Sequence, residues 1–440
     1  MRDAKKSRAQ GVTGMSKHDD SKSLEPVAGK GLLHRRAFLR SATLGGTAAV
    51  GFMVPGQPAA QTAASPRWMK VPGRGMDAHG ERSHFEGDVV KTLLMEPGTV
   101  GAGASFTPHQ RLEGTITPSG LHFERHHNGI PEIDPAQHRL LIHGLVERPL
   151  FFDLEALSRY PLVSRIRFLE CSGNGRMNIG PTPAQATAGE LYGLLSCSDW
   201  TGVPLSILLH EAGLLPGARW VVAEGADSAA MVRSVPLEKI LDDAIIAIYQ
   251  NGERLRPGNG YPMRLFLPGW EGNASVKWLR RLKVTSEPVM ARDETSKYTD
   301  LQPDGRARMF TFPMGVKSLI TSPSGEQRMH GPGLYQISGI AWSGAGRIAR
   351  VDVSADGGET WAEAALSEPV LSKSLTRFRI PWRWDGGPAV LQSRAVDETA
   401  TAQPTRDALL GERGVQFYYH YNAVQSWAVT EDGEVGNVYA

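Results

Sequence analysis

The sequence predicts a mixed α+β domain followed by an all-β sandwich of the immunoglobulin type. Three observations predict it. Between about 116 and 290, buried-type strands such as Arg219-Trp-Val-Val-Ala223 and Pro262-Met-Arg-Leu-Phe-Leu-Pro268 mix with capped helical stretches. From 309 onward the chain turns to alternating strands, and Asp356-Gly-Gly358 sits inside such a run as a strong hairpin signal. The 49 glycines and 29 prolines in 440 residues fit short strands joined by many turns. The organisation expected is a leader at 1–64, an irregular extension at 65–115, the mixed domain at 116–290, a polar linker at 291–308 and the sandwich at 309–440.

The leader runs polar and basic to His34-Arg-Arg-Ala-Phe-Leu-Arg40, then weakly apolar over Ser41 to Val54, with Pro55 and an alanine-rich zone near 59–64 following. Charged region, short apolar core and small-residue zone form the order of an export signal, and the arginine pair before Phe-Leu resembles a twin-arginine leader. A membrane anchor would need about 20 strongly apolar residues, and the core here carries glycines, serine and threonines instead. Met15 is an alternative start. A periplasmic protein follows as the expectation, and the twin-arginine resemblance implies folding, often around a cofactor, before export.

The extension at 65–115 is rich in Gly, Pro and charge. In the mixed domain, His138-Arg-Leu-Leu-Ile-His-Gly-Leu-Val146 reads as a strand with a glycine kink. Asp153-Leu-Glu-Ala-Leu157 reads as a capped short helix, and Val203 to Gly213 as a helix with a glycine stop. A formal net charge of +2 argues against a nucleic-acid partner, since no basic run interleaves with aromatics after the leader. Two cysteines make no disulfide framework, although Cys171 and Cys197 could pair in an oxidising compartment. There is no Cys-x-x-Cys-His, so no covalently attached haem, and no phosphate-binding glycine loop.

Cys171 stands in Arg167-Phe-Leu-Glu-Cys-Ser-Gly-Asn-Gly-Arg176, where an apolar run stops at a thiol and breaks into glycines. Glycines there leave backbone room beside the sulfur. A thiolate in such a place holds a metal or attacks a substrate; a buried, inert cysteine is the plain alternative. His122, His126, His127 and His138 lack zinc spacing.

Four blocks, in order, resemble the sulfite oxidase family of molybdopterin enzymes: Phe123-Glu-Arg-His-His-Asn-Gly-Ile-Pro131, Glu170-Cys-Ser-Gly-Asn-Gly-Arg176, Tyr261-Pro-Met-Arg-Leu-Phe-Leu-Pro-Gly-Trp270 with Val276-Lys-Trp-Leu-Arg-Arg281, and Ala341-Trp-Ser-Gly-Ala-Gly-Arg347 with Val351 to Trp361. The fold implied is a sulfite-oxidase-type molybdopterin domain followed by an immunoglobulin-like dimerisation domain. The resemblance implies a molybdenum–molybdopterin cofactor with Cys171 as the metal ligand, a soft donor beside the pterin's own sulfurs. It places Phe123, Arg125, His126, His127, Asp227, Asn259, Arg264, Ser275, Val276 and Lys277 around the pterin and its phosphate. Asn259 departs from the pattern, standing where relatives usually carry histidine. For catalysis it implies Cys171, Arg125, Tyr298, an Arg413 that reaches in from the C-terminal domain, and Arg176 as a nearby charge. Guanidinium groups suit sulfur oxyanions because they present planar, always-charged forks.

Within the family, Gly129-Ile-Pro-Glu-Ile-Asp134, His420 to Val429 and the tail Glu431 to Tyr439 are similar to the molybdenum subunits of sulfane dehydrogenases (SoxC). That likeness implies a c-type cytochrome partner (SoxD-like), a substrate sulfur on a cysteine of a carrier protein (SoxYZ-like), and a homodimer within a heterotetramer. A free-sulfite dehydrogenase would share nearly every residue named. A cofactor-free thiol enzyme would need a histidine base within reach of Cys171. A two-domain binding protein would tolerate Cys171→Ser.

Overall fold

A computed structural model gives the fold and describes residues 26–35 and 65–440. In the mixed domain, apolar strands build two sheets around one core. The first runs Val232–Pro236, Trp220–Gly225, Leu279–Thr285, Leu140–Gly144 and Leu150–Phe152, with only the Leu279–Thr285 and Leu140–Gly144 pair parallel. The second runs Glu253–Arg254, Ile245–Gln250, Leu195–Pro204 and Val163–Glu170, and Arg264–Phe266 joins it against Ile245–Gln250. Leu140, Val221, Ile246, Leu265 and Leu282 are fully buried together where the sheets meet. The strand before Gly144 ends because that residue takes φ +97°, and a Cβ there would stand 2.2 Å from the Val284 carbonyl oxygen. The short helix Leu154–Ser158 starts at Asp153, whose carboxylate accepts the Ala156 N–H at 2.7 Å. Leu205–Ala212 stops at Gly213, with φ +72°.

The C-terminal part is built of strands. Lys317–Ser322, Gly333–Trp342 and Thr376–Trp384 lie in one antiparallel sheet, and Ile348–Ser354, Ala389–Asp397, Ser426–Val429 and Val435–Val438 in another. Ile340, Phe378 and Ile380 from the first share a core with Val351, Val353 and Leu391 from the second. At the hairpin, Ile348–Ser354 folds back on Ala362–Glu363, and Gly357 and Gly358 supply φ of +75° and +96°. Among the described residues no helix is long and apolar enough to cross a membrane.

Three stretches differ from the sequence-based expectation. The extension is not irregular throughout: Thr92–Met95 and Gly103–Phe106 pair with Glu124–His126 in a three-stranded sheet. The expected linker packs inward, burying Asp293, Glu294 and Asp300, because each carboxylate finds a donor. Within the expected leader, Pro26–Ala28 and Leu32–Leu33 add to the C-terminal sheet, where Leu32 pairs with Trp382. The apolar core at 41–54 and the small-residue zone at 59–64 lie outside the described residues.

Candidate active site

Cys171 is placed by a strand and a turn. Val163–Glu170 delivers it, its N–H donates to the Leu194 carbonyl at 2.9 Å, and its carbonyl accepts the Asn174 N–H at 3.0 Å. Gly175 closes the turn with φ +79°; a Cβ there would come within 2.8 Å of the Tyr192 ring. The preceding Glu170 is wholly buried and accepts from Lys317 Nζ at 2.6 Å, Asn174 Nδ2 at 2.9 Å and Trp342 Nε1 at 2.8 Å. The sulfur-bearing loop is therefore bolted to the C-terminal sheets. Cys171 and Cys197 are both free; Cys197 is buried, its sulfur 3.3 Å from Ser374 Oγ. Burial pushes the Cys171 thiol above its ordinary value although Arg125 pulls the other way.

A cleft opens beside this sulfur. It is lined by Arg125 and His126 of the strand Glu124–His126 and by Phe123 and His127 that flank it, by Asp227, Asn259, Arg264, Ser275, Val276 and Lys277 from the mixed domain, and by Tyr298. Arg264 is 2% exposed, and its guanidinium donates to the carbonyls of Asn259 at 2.9 Å and Ser275 at 2.7 Å. Asn259 is fixed in turn by donating to Gln250 Oε1 at 2.8 Å, and Ser275 Oγ accepts the Leu267 N–H at 3.0 Å. Burial lowers Arg264 to about 9, and its Nε has no partner. Lys277 Nζ donates to His126 Nδ1 at 2.8 Å and to the carbonyls of Gly258 and Arg125 at 3.1 and 3.2 Å. Burial, then Arg264, lowers its pKa well below the usual lysine range.

Neither Arg264 nor Lys277 enters an ion pair among the described residues. Arg264, buried with no carboxylate beside it, and half-buried Lys277, on which Glu124 and Asp227 act without pairing, leave donors that an anionic ligand would satisfy. Asp227 spends one oxygen on the Met231 N–H at 3.3 Å, and buried His122 Nε2 and Asn273 Oδ1 lack partners. The cleft thus suits a polar, anionic molecule with many donors and acceptors. Among the described residues no three His, Cys, Asp or Glu side chains converge as a metal site, so a metal on Cys171 would draw its other ligands from its own cofactor.

Tyr298 has the left-handed φ of +51°, costly for a bulky residue, and such strain concentrates at functional sites. Its hydroxyl shares a 3.1 Å hydrogen bond with His127 Nε2, its N–H donates to Tyr419 Oη at 3.1 Å, and the Arg233 guanidinium lies 4.8 Å from its ring centre. Burial holds its phenol well above the ordinary tyrosine range and drops His127 below the usual imidazole value. A second, wider cleft reaches the same sulfur from the surface. Arg125, His127, Cys171 and Tyr298 line both; Glu96, Arg176, Lys297, Tyr418 and Tyr419 line only the outer one. Arg125 pairs with Glu96 at 2.6 Å, and exposed Arg176 stacks 4.7 Å from the Tyr418 ring centre.

Arg413 is not brought to either cleft. It donates to Asp300 Oδ2 at 2.6 Å and to the His420 carbonyl at 3.1 Å, so its charge is neutralised in the wall. Asp300 also accepts the N–H groups of Tyr418 and Tyr419, which makes Arg413 a brace for the loop that carries those rings. The sequence reading missed Glu124, which bridges His126 (2.8 Å) and Lys91, and Trp278, whose φ of +52° turns the chain beside Lys277. Glu124 was open to detection as the lone acid inside Phe-Glu-Arg-His-His.

Residues 127–292 match the family model described as an oxidoreductase molybdopterin binding domain, and 308–426 that described as a Mo-co oxidoreductase dimerisation domain. The chain is 31% identical over 322 residues to mitochondrial sulfite oxidase of Mus musculus, covering 68% of this chain and 59% of that protein. With the NADH nitrate reductase of Ulva prolifera it shares 31% over 308 residues, 63% of this chain and 35% of that one. It thus spans only part of these curated relatives. Among solved structures, the sulfane dehydrogenase SoxCD from Paracoccus pantotrophus superposes with a TM-score of 0.84 at 48% identity, covering 88% of this chain and all of that one.

Proposed function

Since the chain belongs to the sulfite oxidase family of molybdopterin oxidoreductases, we propose that it is a molybdenum subunit oxidising sulfane sulfur carried on a protein cysteine. The observation behind this reading is the outer cleft, which runs from the surface to Cys171 between Arg176, Lys297, Tyr418 and Tyr419. A sulfur atom on a protein arm needs such a corridor; a free anion of a few atoms does not.

The inner cleft fits the molybdenum–molybdopterin cofactor, whose phosphate would answer the buried Arg264 guanidinium and the Lys277 amine beside it. Cys171 would ligate the metal and Arg264 and Lys277 the phosphate. Phe123, His126, Asp227, Asn259, Ser275 and Val276 would hold the pterin. When bound, the group supplies two-electron oxidation and transfer of an oxygen atom that originates in water. The chain's own residues do the rest. Arg125 and Arg176 draw an anionic sulfur inward, and Glu96 keeps the Arg125 fork extended until it arrives. Tyr298 holds a proton at its phenol oxygen, and neutral His127 is placed to accept one. Each oxygen added to sulfur from water releases two protons and two electrons. We assign the electrons to a c-type cytochrome partner, as the likeness to SoxCD and the dimerisation-domain match support, within an assembly containing a homodimer. The arginine pair at 35–36 supports export to the periplasm by the twin-arginine route, and the paired C-terminal sheets support an immunoglobulin-like sandwich. A thiol enzyme finds no support, as no histidine among the described residues hydrogen-bonds to Cys171.

The test is turnover of the molybdenum-loaded protein with cytochrome c as acceptor, comparing a persulfidated carrier protein with free sulfite. A kcat/KM at least tenfold higher for the carrier is expected. The reverse order would make the protein a sulfite dehydrogenase.

A further inference from the structure

The segment just ahead of the arginine pair is seated on the C-terminal sheet. Leu32 and Leu33 are fully buried there, and Leu32 belongs to the same core as Trp382 and Trp384. Main-chain groups complete the fit: the Gly29 N–H donates to Thr360 Oγ1 at 2.7 Å, and the Lys30 carbonyl accepts from Trp382 Nε1 at 2.7 Å. The bend needs glycine at Gly31, next to Lys30 with its own left-handed φ of +56°. Gly31 takes φ +85°, and a Cβ on it would stand 2.1 Å from the Arg383 carbonyl oxygen; one on Gly29 would stand 2.0 Å from Asp356 Oδ2. Arg35 then pairs with Glu363. Because both ends of that pair are half-exposed, the grip comes from the leucines and the main chain.

We propose that the C-terminal end of strand Thr376–Trp384, beyond the residues that pair with Ala365–Leu366, forms with the hairpin beside it a binding site for the chain's own residues 26–35. Its ligand class is a tight Gly-x-Gly turn leading into a Leu-Leu strand and ending in arginine. The part of that sheet edge left open past Ala365–Leu366 takes the Leu32–Leu33 strand by strand addition, Leu32 opposite Trp382. The consequence rests on the reading of Arg35-Arg36 as an export signal. While the segment is docked, Arg35 lies against the folded sandwich, and a receptor engages only the undocked fraction.

The experiment uses the full-length, cofactor-loaded chain and its variant Leu32→Asp. Hydrogen exchange over 26–33 is expected to be at least tenfold slower in the wild type, and pulse–chase export severalfold faster in the variant. The domain-side double change Thr360→Val with Glu363→Gln leaves the leader's sequence intact, removes one main-chain bond and the Arg35 partner, and is expected to move both readouts the same way by a smaller factor than Leu32→Asp. Equal exchange in wild type and variants overturns the docking. Slowed exchange with unchanged export overturns the masking. If Arg35→Lys with Arg36→Lys is still exported, the export-signal reading and the masking with it fall, while exchange alone continues to judge the docking.

Discussion

Burial sets the character of the single residues that matter most. Burial disfavours the charged forms of Arg264 and Lys277 and the thiolate form of Cys171, and a cofactor with a phosphate and a metal would offset each penalty. Cys171→Ala should abolish turnover and molybdenum binding while leaving the melting temperature of the unloaded protein nearly unchanged; metal analysis and calorimetry check it. Tyr298→Phe keeps the ring against Arg233 and deletes the bond to His127, so kcat should fall about 10–100-fold with little change in KM. Glu124 follows a different logic. Burial alone would raise its carboxyl, but His126 and Lys91 overrule that and hold it at about 2. Its folded value lies below its unfolded one, so its stabilisation is complete above about pH 4.5 and is lost as pH falls toward 2. Glu124→Gln should flatten that stretch of an acid-melting curve. Cys171, Arg264 and Lys277 were legible because motif and chemistry agree. Trp278 was not, since nothing in its neighbours announces a left-handed backbone.

At the level of elements, the sequence misled where a segment's partners lie far along the chain. Thr92–Met95 shows no alternation because all four residues are exposed, and its pairing comes from Gly103–Phe106. The stretch 291–308 is polar, yet its acids are buried against donors from distant elements, Arg233 on a strand and Arg413 at a helix end among them. Hairpin, cap and glycine-stop signals succeeded because their physics is local. Arg413 shows the same contrast, since its guanidinium closes on Asp300, a partner far earlier in the chain. Arg413→Met leaves that carboxylate buried and unpaired, which should cost about 3–5 kcal/mol in stability. Loss of order in the loop 418–420 should raise KM, with molybdenum content unchanged. Denaturant titration and metal analysis together check this.

For the whole molecule, polar ties bind the two halves. Glu170 is shared with Lys317 and Trp342, and Arg377 donates to the carbonyls of Gly114 and Leu112 at 2.8 and 2.5 Å. The described parts should therefore unfold in one calorimetric transition. Lys317→Met strands Glu170 in the interior, and should cost about 3–5 kcal/mol and split the trace in two. The Glu170 junction also has a meaning in time. Trp342 follows Glu170 by 172 positions, so a ribosome adding about 5–20 residues per second supplies it roughly 10–30 s later. Throughout that interval the nascent cysteine loop is without its Trp342 anchor, and its Lys317 anchor arrives only shortly before.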